Sequence, residues 1–347
     1  MVRKLIFPAP GQVGYEEVAL SALGPGQVLA RTVLSGVSHG TELTAFTGSS
    51  PFTTRTITAE RTFRDKTPDD ASFYPFCWAG YDAVGVVEQV GEGVTRYSPG
   101  DRVWRQVQHQ TAFCFPEDAV DALPLPIQVA DDEAIMLNLA SVALNAVLDA
   151  EIKLGDAVVI TGGGLVGLAA AQMAVASGAR LVCVIEPLAA RRALLATKAP
   201  VCLLDPAEGS PVSAIQVQNN SQPPDVVIEC SGSYAGLRDA IAAAGVGGTV
   251  IAAGFYAGNA AALHLDEEFL HNRITLKASM SKWGCPSRYH LWDEGRLLRE
   301  TLHLLATRKL DLSGIVSAVF PFAQAQQAYD AIRDDPQHYL KVAFSYA

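Results

Sequence analysis

The segment Asp156-Ala-Val-Val-Ile-Thr-Gly162-Gly163-Gly164-Leu165-Val166-Gly167 runs from a short apolar stretch into three glycines and on into the alanine-rich residues 168–177. A strand that passes through a glycine turn straight into a helix constrains the fold more than any other feature of the chain. The spacing matches a dinucleotide cradle. Gly162 allows the tight turn, Gly164 lets the backbone approach a pyrophosphate, and Gly167 lets the helix pack closely on its strand. Leu165 and Val166 open the helix, whose N-terminus faces phosphate. A second apolar run, Leu181–Ile185, ends in Glu186, about twenty residues further on, where this fingerprint requires an acid. Glu186 can accept both ribose hydroxyls and would repel a 2′-phosphate, so NAD is the expected cofactor. Arg191 and Arg192 keep NADP as the alternative, since a nearby arginine neutralises a phosphate.

At 347 residues the chain is long enough for two domains with large cores. Its 26 basic against 36 acidic residues leave a net charge of −10, with no basic cluster beyond short pairs. Nucleic acid and anionic membrane surfaces are therefore not expected partners, and a small-molecule substrate is. Six cysteines lie far apart, and Cys183, Cys202 and Cys230 fall within or beside apolar strand-like runs, where cysteine behaves as a small hydrophobe. A reducing cytoplasm is the expected location. Residues 1–7 lead quickly to Pro8 and Pro10, so no signal-peptide core is read there. The longest apolar run, 157–176, contains the glycine turn and reads as strand plus helix, not as a membrane span.

The first hundred residues alternate short β-like runs (27–35, 83–90, 94–104) with glycine and proline punctuation, the pattern of a β-rich domain. From about residue 131 helical periodicity takes over, with 133–150 expected as one amphipathic helix. Strand and helix then alternate as a parallel sheet requires. Strands are expected at 201–204, 225–229, 248–252 and 274–278, and helices at 191–197, 233–244 and 267–271. The polar stretch 216–224 reads as a surface loop. Beyond Trp283, a helix at 292–307, a strand at 315–320, a helix at 322–334 and a strand at 340–345 form a tail expected to return to the first domain.

Five further segments join the glycine turn: Gly36-Val-Ser38-His39-Gly40-Thr41-Glu42, Gly80-Tyr81-Asp82-Ala-Val-Gly85, Val90-Gly91-Glu-Gly93, Pro99-Gly100-Asp101 and Glu229-Cys230-Ser231-Gly232. Together the set resembles the medium-chain dehydrogenase/reductase superfamily over nearly the whole chain. The resemblance implies an α/β protein. A GroES-like β-rich catalytic domain would be built from residues 1–125 and 282–347, and a Rossmann doubly wound parallel sheet from 126–281. It also implies that Cys230, Ser231, Gly254 and Phe255 hold the nicotinamide side and that Arg191 reaches the adenosine ribose. A homodimer follows from edge-to-edge pairing of the last Rossmann strand in relatives. Within the superfamily, the Ser38–Glu42 and Gly80–Asp82 stretches and Gly254-Phe255-Tyr256 are similar to a bacteriochlorophyllide hydroxyethyl dehydrogenase. His39-Gly-Thr-Glu42 with Ser50-Pro51-Phe52, and the tail 318–344 with Asp335-Pro336-Gln337-His338 and Lys341, look like glycoside 3-dehydrogenases, and cover more of the unusual segments.

The departures inform as much as the matches. Zinc-bearing relatives carry Cys where this chain has Ser38, His where it has Tyr81, and Cys or an acid near Leu139. A hydroxyl, a phenol and an alkyl group cannot replace thiolate and imidazole as tight zinc ligands, so no catalytic zinc is expected. A set rebuilt from His39, Glu42, Asp82 or His109 is the remaining metal option. Without a metal, protein groups must handle the proton that accompanies hydride transfer. Thr41 matches the hydroxyl that relays the substrate proton in relatives, His39 can end the relay as general base, and Tyr81 can donate to a developing oxyanion. The insertion at 51–74, with Arg55, Arg61, Arg64 and Lys66, suits a polar, polyhydroxylated ligand. The expected activity is NAD(P)-dependent interconversion of a secondary alcohol and a ketone on a sugar, cyclitol or other bulky polar substrate. The alternatives are zinc-independent reduction of an enoyl or quinone-type C=C bond, or a catalytically silent NAD-binding protein.

Overall fold

Ala157–Thr161 is buried at all five positions, as a strand covered on both faces must be. In the computed structural model, which describes residues 1–20, 22–261, 263–285 and 290–346, this strand lies inside a six-stranded, all-parallel sheet. From edge to edge the strands are Cys202–Leu204, Leu181–Ile185, Ala157–Thr161, Val226–Glu229, Thr249–Ala252 and Thr275–Ala278. In order along the chain this is 3-2-1-4-5-6, the doubly wound order, in which ligands bind outside the carboxyl ends of the strands where the order reverses. The register places Thr161 opposite both Ile185 and Glu229. The glycine turn, Glu186 and Cys230 therefore leave the sheet at one level. Behind the turn, Leu165–Ala176 is buried nearly all round, which explains its run of alanines: only a slim helix fits between the sheet and its neighbours.

The chain divides into two compact units, residues 1–136 with 316–347, and residues 137–315. Both divisions fall later than 125/126 and 281/282. Glu294–Ala306, expected in the returning tail, instead packs on Leu137–Asp149 within the second unit through buried Leu297, Leu298, Leu302 and Leu305. The single helix expected at 133–150 is two, Asp131–Ala134 and Leu137–Asp149. Ile135 leaves helical geometry between them while Ile135 and Met136 are fully buried. The stretch at 216–224 is only partly loop, because Ser210 caps, and Pro211 starts, a helix that runs Pro211–Gln218. Of 94–104 only Arg102–Arg105 pairs as a strand with its neighbours. Ser98 and Asp101 close a turn just before it, Asp101 N–H on Ser98 O (3.0 Å) and Ser98 N–H on Asp101 Oδ2 (2.8 Å).

In the first unit, Gln27–Val37 is the spine of a seven-stranded sheet. Lys341–Ser345 pairs antiparallel with its C-terminal end, and Val316–Pro321 adds parallel beyond that. Ala83–Val90, Arg102–Arg105 and Ala122–Pro124 follow on the other side, and Ala112–Pro116 pairs with the N-terminal half of the spine. One apolar cluster joins Phe7, Phe46, Tyr329 and Phe344; another joins Val28, Val103, Phe113 and Phe115. The insertion holds a short hairpin, Arg55–Ile57 with Phe63–Asp65. Among the described residues no helix is long and apolar enough to cross a membrane.

Leu305 is wholly buried in the stripe that assigns Glu294–Ala306 to the second unit. Leu305→Ala should lower unfolding free energy by about 2–5 kcal/mol, seen as an earlier urea midpoint by circular dichroism. An unchanged midpoint would show that this face is not packed.

Candidate functional site

The nucleotide end is built on the glycine turn. Gly162 has φ +91°, and a Cβ there would lie 2.7 Å from the Ser231 backbone. A Cβ on Gly167 would lie 1.8 Å from the Gly162 carbonyl oxygen. These two positions accept no side chain. At Gly164, by contrast, the nearest atom to an added Cβ is Arg191 Nη1 at 3.9 Å, so the space over the helix N-terminus stays open for a phosphate. Leu165 and Val166 open that helix as expected. Glu186 is 2% exposed; its Oε2 accepts the Gly163 N–H (2.7 Å) and its Oε1 the Leu188 N–H (2.8 Å). Each carboxylate oxygen has a second lone pair, so both can still accept a ribose hydroxyl. The two arginines part company here. Arg192 is taken up by the Glu186 carbonyl (2.7 Å) and by Asp205 (2.7 Å), whereas Arg191 Nη1 lies 3.9 Å from Glu186 Oε2, beside the turn. This cradle fits a dinucleotide.

At the neighbouring strand end, Glu229 is fully buried and accepts from the Ser231 N–H (2.6 Å), the Gly232 N–H (3.2 Å), the Ser231 hydroxyl and the Tyr256 phenol. It holds the loop containing Cys230 and Ser231 against the segment containing Gly254, where an added Cβ would sit 2.5 Å from Glu229 Oε2. Burial, and then the Glu229 charge, push the Cys230 thiol well up, so it stays neutral. The same two causes raise the Tyr256 phenol, which remains a donor to Glu229. Phe255 is exposed, its ring available for contact. Tyr256 carried no sequence signal for this role beyond its place next to Gly254-Phe255.

In the first unit a second network surrounds Glu42, which is 1% exposed. Its Oε1 accepts the Ser38 N–H (2.8 Å); its Oε2 accepts from the Tyr329 hydroxyl (2.6 Å) and lies 2.9 Å from His109 Nε2. His109 Nδ1 is 2.7 Å from Ser35 Oγ, which is 2.8 Å from the Tyr346 hydroxyl. Burial alone would raise the Glu42 pKa, but the His109 charge and the hydrogen bonds from His109, Tyr329 and the Ser38 amide outweigh it and hold the carboxyl below its ordinary value. Against this network stand the hydroxyls. Tyr81 donates to Ser38 Oγ, and Thr41 is the first residue of the Thr41–Thr47 helix, exposed, with its hydroxyl interacting with the same phenol. Burial raises the Tyr81 pKa, as does the Glu42 charge, so the phenol stays protonated. His39 is half-buried on the turn between Ser38 and Thr41.

Asp82 takes a different partner, accepting from Trp104 Nε1 (2.9 Å). Lys341 is buried nearby, its pKa lowered by burial against the pull of Asp82 and Glu42. Sequence reasoning missed Tyr329 and Tyr346, which come from the far end of the chain and carry no local motif, and it reached Lys341 only through the tail that looks like glycoside 3-dehydrogenases. His109 and Glu42, weighed there as metal donors, meet each other instead. A zinc ion does not fit the groups at the positions that bind it in relatives: Ser38 supplies a hydroxyl, Tyr81 a phenol, Leu139 an alkyl chain. Among the described residues no three His, Cys, Asp or Glu side chains form a metal set.

Two family models match the chain: an alcohol dehydrogenase GroES-like domain at residues 24–122 and a zinc-binding dehydrogenase at residues 166–290. D-guloside 3-dehydrogenases from Shigella flexneri and from Escherichia coli (strain K12) are each 26% identical over 351 residues, covering 99% of this chain and 100% of theirs. A crystal structure of an Escherichia coli oxidoreductase/dehydrogenase of unknown specificity superposes with a TM-score of 0.79 at 20% identity, over 100% of this chain and 99% of its own.

Two outcomes follow. Gly167→Ala should weaken dinucleotide binding at least tenfold by calorimetry, since its Cβ meets backbone; wild-type affinity would refute the cradle. For Glu42, the lowered pKa makes a contribution to stability that is present above its unfolded value and lost as pH falls through the lower folded value. Tyr329→Phe removes a donor and narrows that gap, so acid unfolding followed by circular dichroism should begin at higher pH than in wild type. An unmoved acid limb would remove Glu42 from the account of stability.

Proposed function

We propose, from the premise that this chain belongs to the zinc-type alcohol dehydrogenase-like medium-chain dehydrogenase/reductase superfamily, that it oxidises a secondary alcohol of a sugar or glycoside to the ketone, and reverses that reaction, with NAD and without catalytic zinc. The protein is an oxidoreductase of the alcohol dehydrogenase type. The observation that carries the finer reading is the hydroxyl cluster of Tyr81, Ser38 and Thr41 beside the Glu42–His109 pair, with Ser38 and Tyr81 at positions where relatives bind metal.

A dinucleotide held by the Gly162–Gly167 turn and Glu186 would supply the hydride chemistry; this chain's residues handle the proton. Thr41 and Ser38 both donate and accept, as a relay requires. Ser38 Oγ already accepts from the Tyr81 phenol, so its own proton can be offered to a substrate oxygen. In the oxidative direction the same hydroxyls take the substrate proton, and the His39 imidazole is the proposed acceptor. Glu42 serves this cluster as a positioning residue: held ionised and buried, it fixes the Ser38 amide and favours the protonated form of Tyr81. Glu186, with both oxygens able to take a ribose hydroxyl, supports NAD over NADP. A cytoplasmic homodimer completes the proposal. Thr275–Ala278 is an edge strand with Leu276 exposed, which supports pairing across a two-fold axis.

A screen of NAD reduction over glycosides, cyclitols and sugar alcohols, run beside metal analysis of the purified protein, tests this reading. Turnover with substoichiometric zinc is expected; a zinc-dependent activity, or turnover of an enone in place of a keto-sugar, would overturn it. Tyr81→Phe should lower kcat/KM by about 10²–10³-fold, the usual cost of one transition-state donor, and Thr41→Ala by about 10²-fold or more. Unchanged kinetics in both variants would take the proton relay away from this cluster.

A further inference from the structure

The insertion between the Thr41–Thr47 helix and Tyr81 lines an open cavity of about 370 Å³ that the proposed chemistry leaves unused. This volume lies within the range of small-molecule sites, roughly 300–1,000 Å³. Its walls combine the aromatic rings of Phe52, Phe73 and Trp78 with the hydroxyl of Thr56 and the cations Arg55 and Lys66. Among its described lining residues none is acidic. Arg64 is taken by Asp70 through two bonds of 2.7 Å, which holds Asp70 far below its ordinary pKa. Arg55 has an ion pair of 3.5 Å with Asp65, whose side chain is 93% exposed, a pairing worth little in water, and beyond it one long hydrogen bond to the Phe63 carbonyl (3.3 Å) and a place 5.7 Å from the Phe63 ring centre. Lys66 gives one hydrogen bond to the Ala71 carbonyl (2.9 Å) and lies 5.8 Å from the Phe73 ring centre. Trp78 is 72% exposed, an unusual state for the largest apolar side chain.

A flat aromatic face, hydroxyls and two weakly committed cations suit a sugar ring with a negative charge. The apolar C–H face of a pyranose packs on an indole, while guanidinium and ammonium groups bind carboxylate or phosphate through charge-assisted hydrogen bonds. The cavity is also tethered to the hydroxyl cluster along the chain. Trp78 precedes Tyr81 by three residues, a separation of at most roughly 11 Å between Cα atoms. On the other side, the Ser50 amide bonds to the Thr44 carbonyl (3.1 Å), joining the start of the insertion to the Thr41–Thr47 helix.

We propose that this cavity binds the part of a glycoside that is not oxidised, and that this part carries a carboxylate or phosphate, so that the substrate class is an anionic glycoside. The inference rests on the glycoside dehydrogenase reading and narrows it. Its test separates the two. Without cofactor, the fluorescence of the full chain is titrated with a methyl hexoside, the corresponding methyl hexuronide and a hexoside phosphate, with Trp78→Phe as the signal control. Binding of at least one anionic ligand at least tenfold tighter than the neutral one, with a Trp78-dependent signal, is expected. The arms tell carboxylate from phosphate. The Arg55→Gln/Lys66→Gln double variant, checked for folding by circular dichroism, should raise KM for the preferred anionic glycoside at least tenfold more than KM for the neutral one. Equal affinities for all three ligands, or equal KM changes in the double variant, would overturn the anionic site even if the protein oxidises sugars. Trp78-dependent, charge-selective binding with no turnover of any alcohol would keep the cavity and overturn the dehydrogenase reading instead.

Discussion

The carboxylate of Glu42 is buried with three donors on its two oxygens, and the first unit is organised around that fact. The donors come from three distant parts of the chain: the Ser38 amide at the end of the spine strand, His109 in the approach to Ala112–Pro116, and the Tyr329 hydroxyl on the helix Ala325–Asp334. A charge in this position is costly unless every lone pair is engaged, and removing one partner of such a group typically costs about 3–5 kcal/mol. The arrangement therefore demands that both ends of the chain meet in one unit. It also explains why Tyr81 and Ser38 interact through hydroxyls. The negative charge beneath them favours a protonated phenol, and a protonated phenol is a donor.

The second unit solves a different problem by register. Parallel strands ending at one level bring Gly162, Glu186 and Glu229 to the same edge of the sheet, although they are far apart in the chain. Two buried carboxylates then brace the loops: Glu186 holds the glycine turn through the Gly163 amide, and Glu229 holds the Ser231–Gly232 amides and the Tyr256 phenol. Each engages backbone amides that leave the sheet at a strand end. The result is a preformed cradle whose glycines admit no substitute at the two positions where backbone meets backbone.

Much of this was legible beforehand, and the reasons are local. A glycine turn between an apolar strand and an alanine helix is short-range chemistry, so residues 157–186 could be read almost as they fold. The helix at 211–218 was missed although its signal was equally local, a Ser-Pro start overshadowed by the polar residues that follow. The break at Ile135 was not legible, because an amphipathic pattern continues across it and burial of Ile135 and Met136 decides where the helix stops. For the same reason Glu294–Ala306 could be recognised as a helix from its periodicity, but not assigned to its unit.

The amino-acid sequence by itself determined the kinds of chemistry available. It set a turn that only glycine can make, an acid at ribose distance, and hydroxyl and phenol groups where metal-binding relatives carry thiolate and imidazole. Those properties belong to single residues and short spacings, and they do not depend on what lies across the fold. Only the tertiary structure decided the partnerships: His109 and Tyr329 on Glu42, Trp104 on Asp82, Tyr256 on Glu229, and the two cations left lining the aromatic cavity of the insertion. Hydrogen bonds and buried charges act over a few ångströms of space, and residues separated by up to 287 positions come within that range only when the chain has closed on itself.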